Sequence, residues 1–386
     1  MSIPNLLRAA SLLVGSLFLG EAIAQGQEHA QDPANDAVVH AMESDSEAPD
    51  LIAEEVEHGK GKFNAGKLIM DHIGDEHGWH LFGNTTLPLP VILYNTERGV
   101  ACFSSSNFEH GHKVYGGYML QEGGVVAVND PDGTDVHHAT VDEVATKATW
   151  DISITKNVLS LFISLAILLI IFLNVAKAYT RRAGQAPTGL QNLVEPIILF
   201  VRDDVAKSAI GEHKYQKYMP YLLTAFFFIF LNNLMGLVPF FPGGANLTGN
   251  IAVTLVLALI TFVIVTVNGN KHYWGHILAM PGVPGWVLAI LTPVEILGMF
   301  LKPFVLMIRL FANITAGHII ALSFFSLIFV FGETSAGAGY GVSIMSLAFT
   351  VFMTMLELLV AFIQAYVFTF LSAMYIGSAI EEPHHH

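Results

Sequence analysis

The chain has 386 residues, of which 53% are hydrophobic and 13% charged, and its mean hydropathy is positive; this balance excludes a water-soluble globular domain and points to a chain that crosses the membrane several times. The formal net charge of −14 is concentrated, because residues 25–156 carry 22 acidic and 7 basic side chains whereas residues 157–386 carry 9 and 10. A single acidic block gives no support for nucleic-acid binding, and the single cysteine, Cys102, excludes an intrachain disulfide framework and a cysteine-rich zinc site.

Residues 1–24 combine the basic Arg8, an apolar run from Ala9 to Leu19 and the small-x-small triplet Ala22-Ile23-Ala24. That is the pattern of a cleaved secretory signal peptide, and the run is short for a hydrocarbon core of ~30 Å. The next segment, residues 25–150, is expected outside the cytoplasm. It begins as an acidic, weakly hydrophobic stretch through Glu57, expected to be disordered or partly helical. Then come β-rich runs at Val91–Tyr94, Val100–Phe103, Gly117–Leu120 and Val125–Val128, separated by Gly, Asn and Asp, which predict a small antiparallel sheet. Among the ten histidines of this segment, His72, His77, His80, His110, His112, His137 and His138 show no zinc-site spacing, so they are read as solvated and no metal is expected. His384–His386 carry no information on fold.

From residue 151 onward the chain reads as an all-α membrane domain of five segments. The first span, Asn157–Ala176, is followed by Lys177, Arg181 and Arg182, which place its end in the cytoplasm. Leu190, Leu193, Val194, Ile197, Val201 and Val205 recur at helical spacing and predict an amphipathic helix on that surface. Met219–Val238 returns outward, and Ile251–Val267 descends to Lys271 and His272. The last two segments, Val287–Phe331 and Val342–Ile380, would be about 67 Å and about 58 Å long as helices. Both exceed the hydrocarbon core, so they are expected to be steeply tilted. The glycine-rich stretch 332–341 reads as the outer loop joining them into an antiparallel hairpin.

Within that hairpin Arg309 lies far from either helix end. A guanidinium keeps its proton, and placing it in a bilayer costs at least ~2.5–3.5 kcal/mol, which marks the position as functional. In an antiparallel pair, residues at equal depth have numbers with a constant sum, here about 675 for a loop centred near 337–338. His318 with Glu357, and Arg309 with Gln364, meet that sum. Asn313 shares the face of Arg309, whereas His318 turns to roughly the opposite face. Glu295 falls opposite the cytoplasmic end of the second helix. A series of ionisable groups interrupted by a fixed positive charge is the result.

The run Arg309-Leu310-Phe311-Ala312-Asn313 with Ala316-Gly317-His318, preceded by Glu295 and Lys302-Pro303 and followed by Glu357 and Gln364, resembles the signature of subunit a of F-type ATP synthases over about residues 157–380. The resemblance implies a proton-channel stator subunit without cofactor or nucleotide site. Its partners would be a ring of c subunits and the peripheral-stalk b subunits. Arg309 would face the ring, supported by Gln364 and Asn313; His318 and Glu357 would belong to an outer half-channel and Glu295 to an inner one. The implied location is a bacterial inner membrane, with residues 25–150 periplasmic and the C-terminus cytoplasmic. Gly236 stands where some bacterial relatives have an aspartate, and segment 25–150 lies outside the common family core. A proton-coupled secondary transporter is the competing class, but the five spans show no internal repeat. An intramembrane metalloenzyme is disfavoured because no His-Glu-x-x-His occurs.

Overall fold

The computed structural model describes residues 64–381 except 83, 84, 122, 131–135, 183, 239, 240 and 281. The signal-peptide and acidic-stretch expectations fall outside the described residues. Helix α1 (Ala65–Ile73) leads into strands β1 (Gly78–Phe82), β2 (Thr85–Pro88), β3 (Pro90–Asn95), β4 (Gly99–Ser104), β5 (Tyr118–Gln121) and β6 (Gly124–Ala127), then helix α2 (Glu143–Lys147) and strand β7 (Thr149–Asp151). These make three small antiparallel sheets, ordered β1-β2, β4-β3-β7 and β5-β6.

The alternation of β3 explains its placement: Val91 and Leu93 point inward with Phe108, Tyr118, Val125 and Ala127, while Tyr94 is exposed. Asn95 occupies the next inward position and is satisfied there. Its Nδ2 donates to the Ala145 carbonyl at 2.9 Å and to Thr149 Oγ1 at 2.8 Å, and its Oδ1 accepts from the backbone of Glu97 and Arg98, closing the β3–β4 turn. One histidine departs from expectation. His77 is buried, its Nε2 lies 2.7 Å from Asp151 Oδ2 and its Nδ1 3.1 Å from the Gly123 carbonyl. The carboxylate on β7 supplies the partner that lets a histidine leave water, and β7 is too short to be seen in sequence.

The chain enters the membrane under restraint. The backbone N–H of Lys156 donates to Glu76 O at 2.9 Å, and that of Asn157 to Asp75 Oδ1 at 3.0 Å, so the first span is fixed to the N-terminal domain at its first residues. Among the described residues five helices are long and apolar enough to cross a membrane. They are α3 (Lys156–Arg181), α6 (Tyr215–Leu237), α7 (Ile251–Asn268), α9 (Gly285–Thr334) and α10 (Ala336–Ile380). Between them lie α4 (Leu190–Phe200), a π-helical turn at Val201–Lys207, α5 (Ser208–Ile210) and α8 (Lys271–Leu278). Val194, Val201 and Val205 turn inward as the amphipathic pattern requires, while Leu190 and Leu193 remain exposed.

The bundle core forms around α6. Leu222, Phe226, Phe228 and Ile229 are fully buried against Leu257 and Ala258 of α7 and Ala365, Phe368, Ala373 and Ile376 of α10. Small side chains on α10 let neighbouring backbones approach, as membrane helices require where no hydrophobic force separates protein from lipid. A hydroxyl chain ties the three helices: Tyr221 Oη lies 2.5 Å from Thr261 Oγ1, which lies 3.3 Å from Ser372 Oγ.

The hairpin differs from expectation at its tip. Only Ser335 separates α9 from α10, and residues 336–341 are helical. Gly339, expected in a loop, serves close approach instead. A Cβ on Gly339 would lie 2.8 Å from the Gly332 Cα, so the two helices nearly touch there.

Candidate ion-translocation site

The hairpin register holds despite the shorter tip. Phe324 stacks on Phe349 with ring centroids 5.0 Å apart, and the Ser346 hydroxyl donates to the Phe324 carbonyl. Farther along, the Glu357 carboxyl reaches the backbone of Gly317, where an added Cβ would lie 2.8 Å from Oε1. Glu357 is thus seated beside the residue next to His318, at the depth the register predicts. Gly317 is required by that approach, since any side chain would displace the carboxyl. Deeper still, the Lys302 ammonium sits 5.6 Å from the centre of the Tyr375 ring.

His318 turns toward the bundle. A Cβ on Gly236 of α6 would lie 3.5 Å from His318 Nε2 and 3.5 Å from the Ala245 carbonyl oxygen. A methyl at 236 would make ordinary van der Waals contact with both, so the imidazole packs directly over Gly236.

Arg309 lies on the other side of α9. Leu306, Met307, Leu310 and Ile314 bury against the bundle, leaving Arg309 and Asn313 exposed, whereas Gln364 of α10 is buried. Among the described residues the guanidinium has no hydrogen-bond or ion-pair partner. Glu295, half-buried, faces α8: burial, and then the Glu295 charge, hold the Tyr273 hydroxyl above its ordinary pKa. The six residues named from sequence thus fall into three places: Arg309 and Asn313 outward, His318, Glu357 and Gln364 within the hairpin and bundle, and Glu295 toward the α8 end.

Two features lie beyond the sequence reading. Asn233 Nδ2 donates to the Ala361 carbonyl at 3.3 Å, and its Oδ1 accepts from Thr248 at 2.6 Å, so one buried amide joins α6, α10 and the α6–α7 connection. The only sequence signal is an asparagine inside an apolar span, a polar group that must find partners there. Tyr375 gives no signal, because its pairing with Lys302 joins residues far apart in the chain.

Five apolar helices, with ionisable side chains distributed along the longest pair, define a multi-pass integral membrane protein. Residues 158–377 match the family model described as ATP synthase A chain, and residues 68–152 match that of a domain of unknown function (DUF8433). The chain is 45% identical over 242 residues to ATP synthase subunit a of Chloroherpeton thalassium, covering 61% of this chain and 69% of that one. It is 37% identical over 385 residues to ATP synthase subunit a of Chlorobium phaeobacteroides, covering 97% and 94%. Subunit a of Myxococcus xanthus ATP synthase is 43% identical over 247 residues, covering 61% and 76%. The chain belongs to the ATP synthase A chain family.

Proposed function

We propose that this chain is the proton-channel stator subunit of a rotary ATP synthase, and that Arg309 faces a ring of c subunits. The observation that carries the reading is the outward arginine on a hairpin that the rest of the chain scarcely covers. Only 6% of the most apolar stretch of α9 and 11% of that of α10 is buried, against 56% in α6 and 44% in α7. An intramembrane guanidinium costs free energy unless a partner uses its charge, and a ring of helices carrying carboxyl groups is such a partner.

The mechanism follows from charge burial. A carboxylic acid on a ring helix crosses lipid protonated, because the neutral form avoids the desolvation penalty. Beside Arg309 its ionised form is favoured. The acid therefore gives up its proton on one side of the arginine and takes one up on the other. His318 and Glu357 serve the outer path and Glu295 the inner one, with Gln364 and Asn313 flanking Arg309. The fixed charge also stops a proton from running straight through. Each proton moving through 100 mV contributes about 2.3 kcal/mol to the bias on rotation.

In this reading residues 1–24 are a signal peptide, 25–150 an exported segment and 151–386 the membrane domain. The exported segment is periplasmic, the C-terminus is cytoplasmic, and b subunits of the peripheral stalk complete the stator. Isolation in mild detergent tests it. A ring of small hairpin subunits is expected to co-purify, and Ile308→Cys, combined with Cys102→Ser, is expected to cross-link to it. A solitary chain that transports a solute would contradict the reading.

A further inference from the structure

Connections between helices normally run over the surface, because a buried loop carries polar backbone groups that need partners. The α6–α7 connection does not follow this rule: Ala245, Asn246, Leu247 and Thr248 are all buried. It is fastened to every helix around the inward-facing polar pair. Thr248 donates to Asn233 of α6, which donates to the Ala361 carbonyl of α10, one turn beyond Glu357. The Gly249 carbonyl faces the Thr315 hydroxyl at 3.5 Å, one turn before His318 on α9. The Ala245 carbonyl and the His318 imidazole close on the same space above Gly236.

The exported domain bears on this connection. Trp79 of β1 is 2% exposed, and its ring meets Phe241 edge-to-face with centroids 5.2 Å apart. Helix α1 of the same domain packs against α9. We propose that the exported domain is a fixed cap seated on the outer end of the bundle, and that Trp79, through Phe241, is a positioning residue that holds the connection behind His318 and Glu357. The proposal rests on the outer-path role assigned to those two residues. It gives residues 64–156 a function in proton translocation: they keep the imidazole and carboxyl in register instead of merely covering the membrane part. Around His318, α6 and the connection contribute Gly236 and the Ala245 carbonyl, neither of them ionisable, and α10 brings the ionisable Glu357 against the neighbouring Gly317. Loosening the connection thus changes solvation of the pair without changing its charges.

The test uses membrane vesicles carrying the assembled complex, with passive proton conduction measured against outer pH after removal of the catalytic head. Trp79→Ala is expected to lower conduction roughly two- to tenfold, the scale of losing one aromatic pair, and to displace its pH profile. Trp79→Phe keeps a ring and is expected to restore both. Should Trp79→Ala fail to assemble, Phe241→Leu removes the ring from the membrane side and carries the same expectation. A wild-type rate and pH profile in whichever of these variants assembles would overturn the proposal, as would failure of Trp79→Phe to restore them. His318→Ala separates the two readings. Normal conduction in that variant removes the outer-path assignment itself, whereas lost conduction there with normal Trp79→Ala removes only the cap.

Discussion

Helices α6 and α7 and the hairpin α9–α10 are all apolar enough to cross a membrane yet are packed in opposite ways. In α6 the phenylalanines at 226 and 228 are fully enclosed, whereas Phe304 of α9 and Phe352 of α10 are more than half exposed. Composition alone does not distinguish the two regions, since lipid solvates either kind of surface equally well. What differs is the distribution of polar groups. In α6 and α7 they are spent on ties within the chain, as with Tyr221, Thr261 and Asn233. On the hairpin Arg309 and Asn313 are left facing outward. The comparison teaches that α6 and α7 form the scaffold and the hairpin forms the working surface.

The largest expected effect breaks the scaffold side. Phe226→Ala should leave a cavity in the enclosed core and lower stability by about 3 kcal/mol or more, read as earlier thermal unfolding of the detergent-solubilised chain. Phe352→Ala should change that unfolding little and instead weaken retention of the ring subunits during purification. Equal effects from the two substitutions would erase the distinction between scaffold and working surface.

A smaller effect is expected in the N-terminal domain, where the buried His77 pairs with the half-buried Asp151. Burial opposes protonation of His77, but the hydrogen bond and charge of Asp151 outweigh it and raise the imidazole above 6.5; against its own burial, Asp151 is drawn below 3.8 by His77. The raised histidine contributes stability that is complete below pH 6.5 and lost as pH rises through its folded value. The lowered aspartate contributes stability that is present above about pH 3.8 and lost as pH falls through its folded value. The pair thus stabilises the domain most between about pH 4 and pH 6.5. His77→Ala should cost about 2 kcal/mol at pH 6 and flatten the decline above pH 6.5, followed in denaturant titrations of the full chain in which Trp150, Trp274 and Trp286 are replaced by Phe, so that Trp79 alone fluoresces.

The smallest expected effect on stability sharpens the working side. Gly317→Ala places a methyl 2.8 Å from Glu357 Oε1, and the flexible carboxyl can swing aside at a cost on the order of 1 kcal/mol or less. Proton pumping should nonetheless fall several-fold, because the carboxyl leaves its seat against Gly317. Pumping at the wild-type rate, with the carboxyl shifted, would show that its position there is immaterial.

Much of this organisation is legible in the chain itself. The spans follow from hydropathy, and the hairpin register places Glu357 at the depth of His318, one residue from the Gly317 it meets, because depth in two antiparallel helices is fixed by chain position alone. Arg309 stands out because its charge has no local reason to be there. The tip misleads because glycine serves both chain reversal and close helix contact, and only Gly332 against Gly339 tells which. Strands β1, β2 and β7 escape because three to five residues carry too little alternation. His77 shows no sign of burial in sequence because its carboxylate lies 74 residues away. The seat of Trp79 on Phe241 joins residues 162 positions apart, a separation across which local pattern carries no information.

On the proposed function, Arg309 separates two proton paths electrostatically instead of anchoring a helix. The most direct measurement is passive proton flow, together with ATP-driven pumping, in vesicles carrying assembled Arg309→Ala complex under an imposed potential. The account predicts intact assembly, no coupled pumping and a proton leak through the joined paths. Unchanged ATP-driven pumping by the assembled Arg309→Ala complex would contradict it.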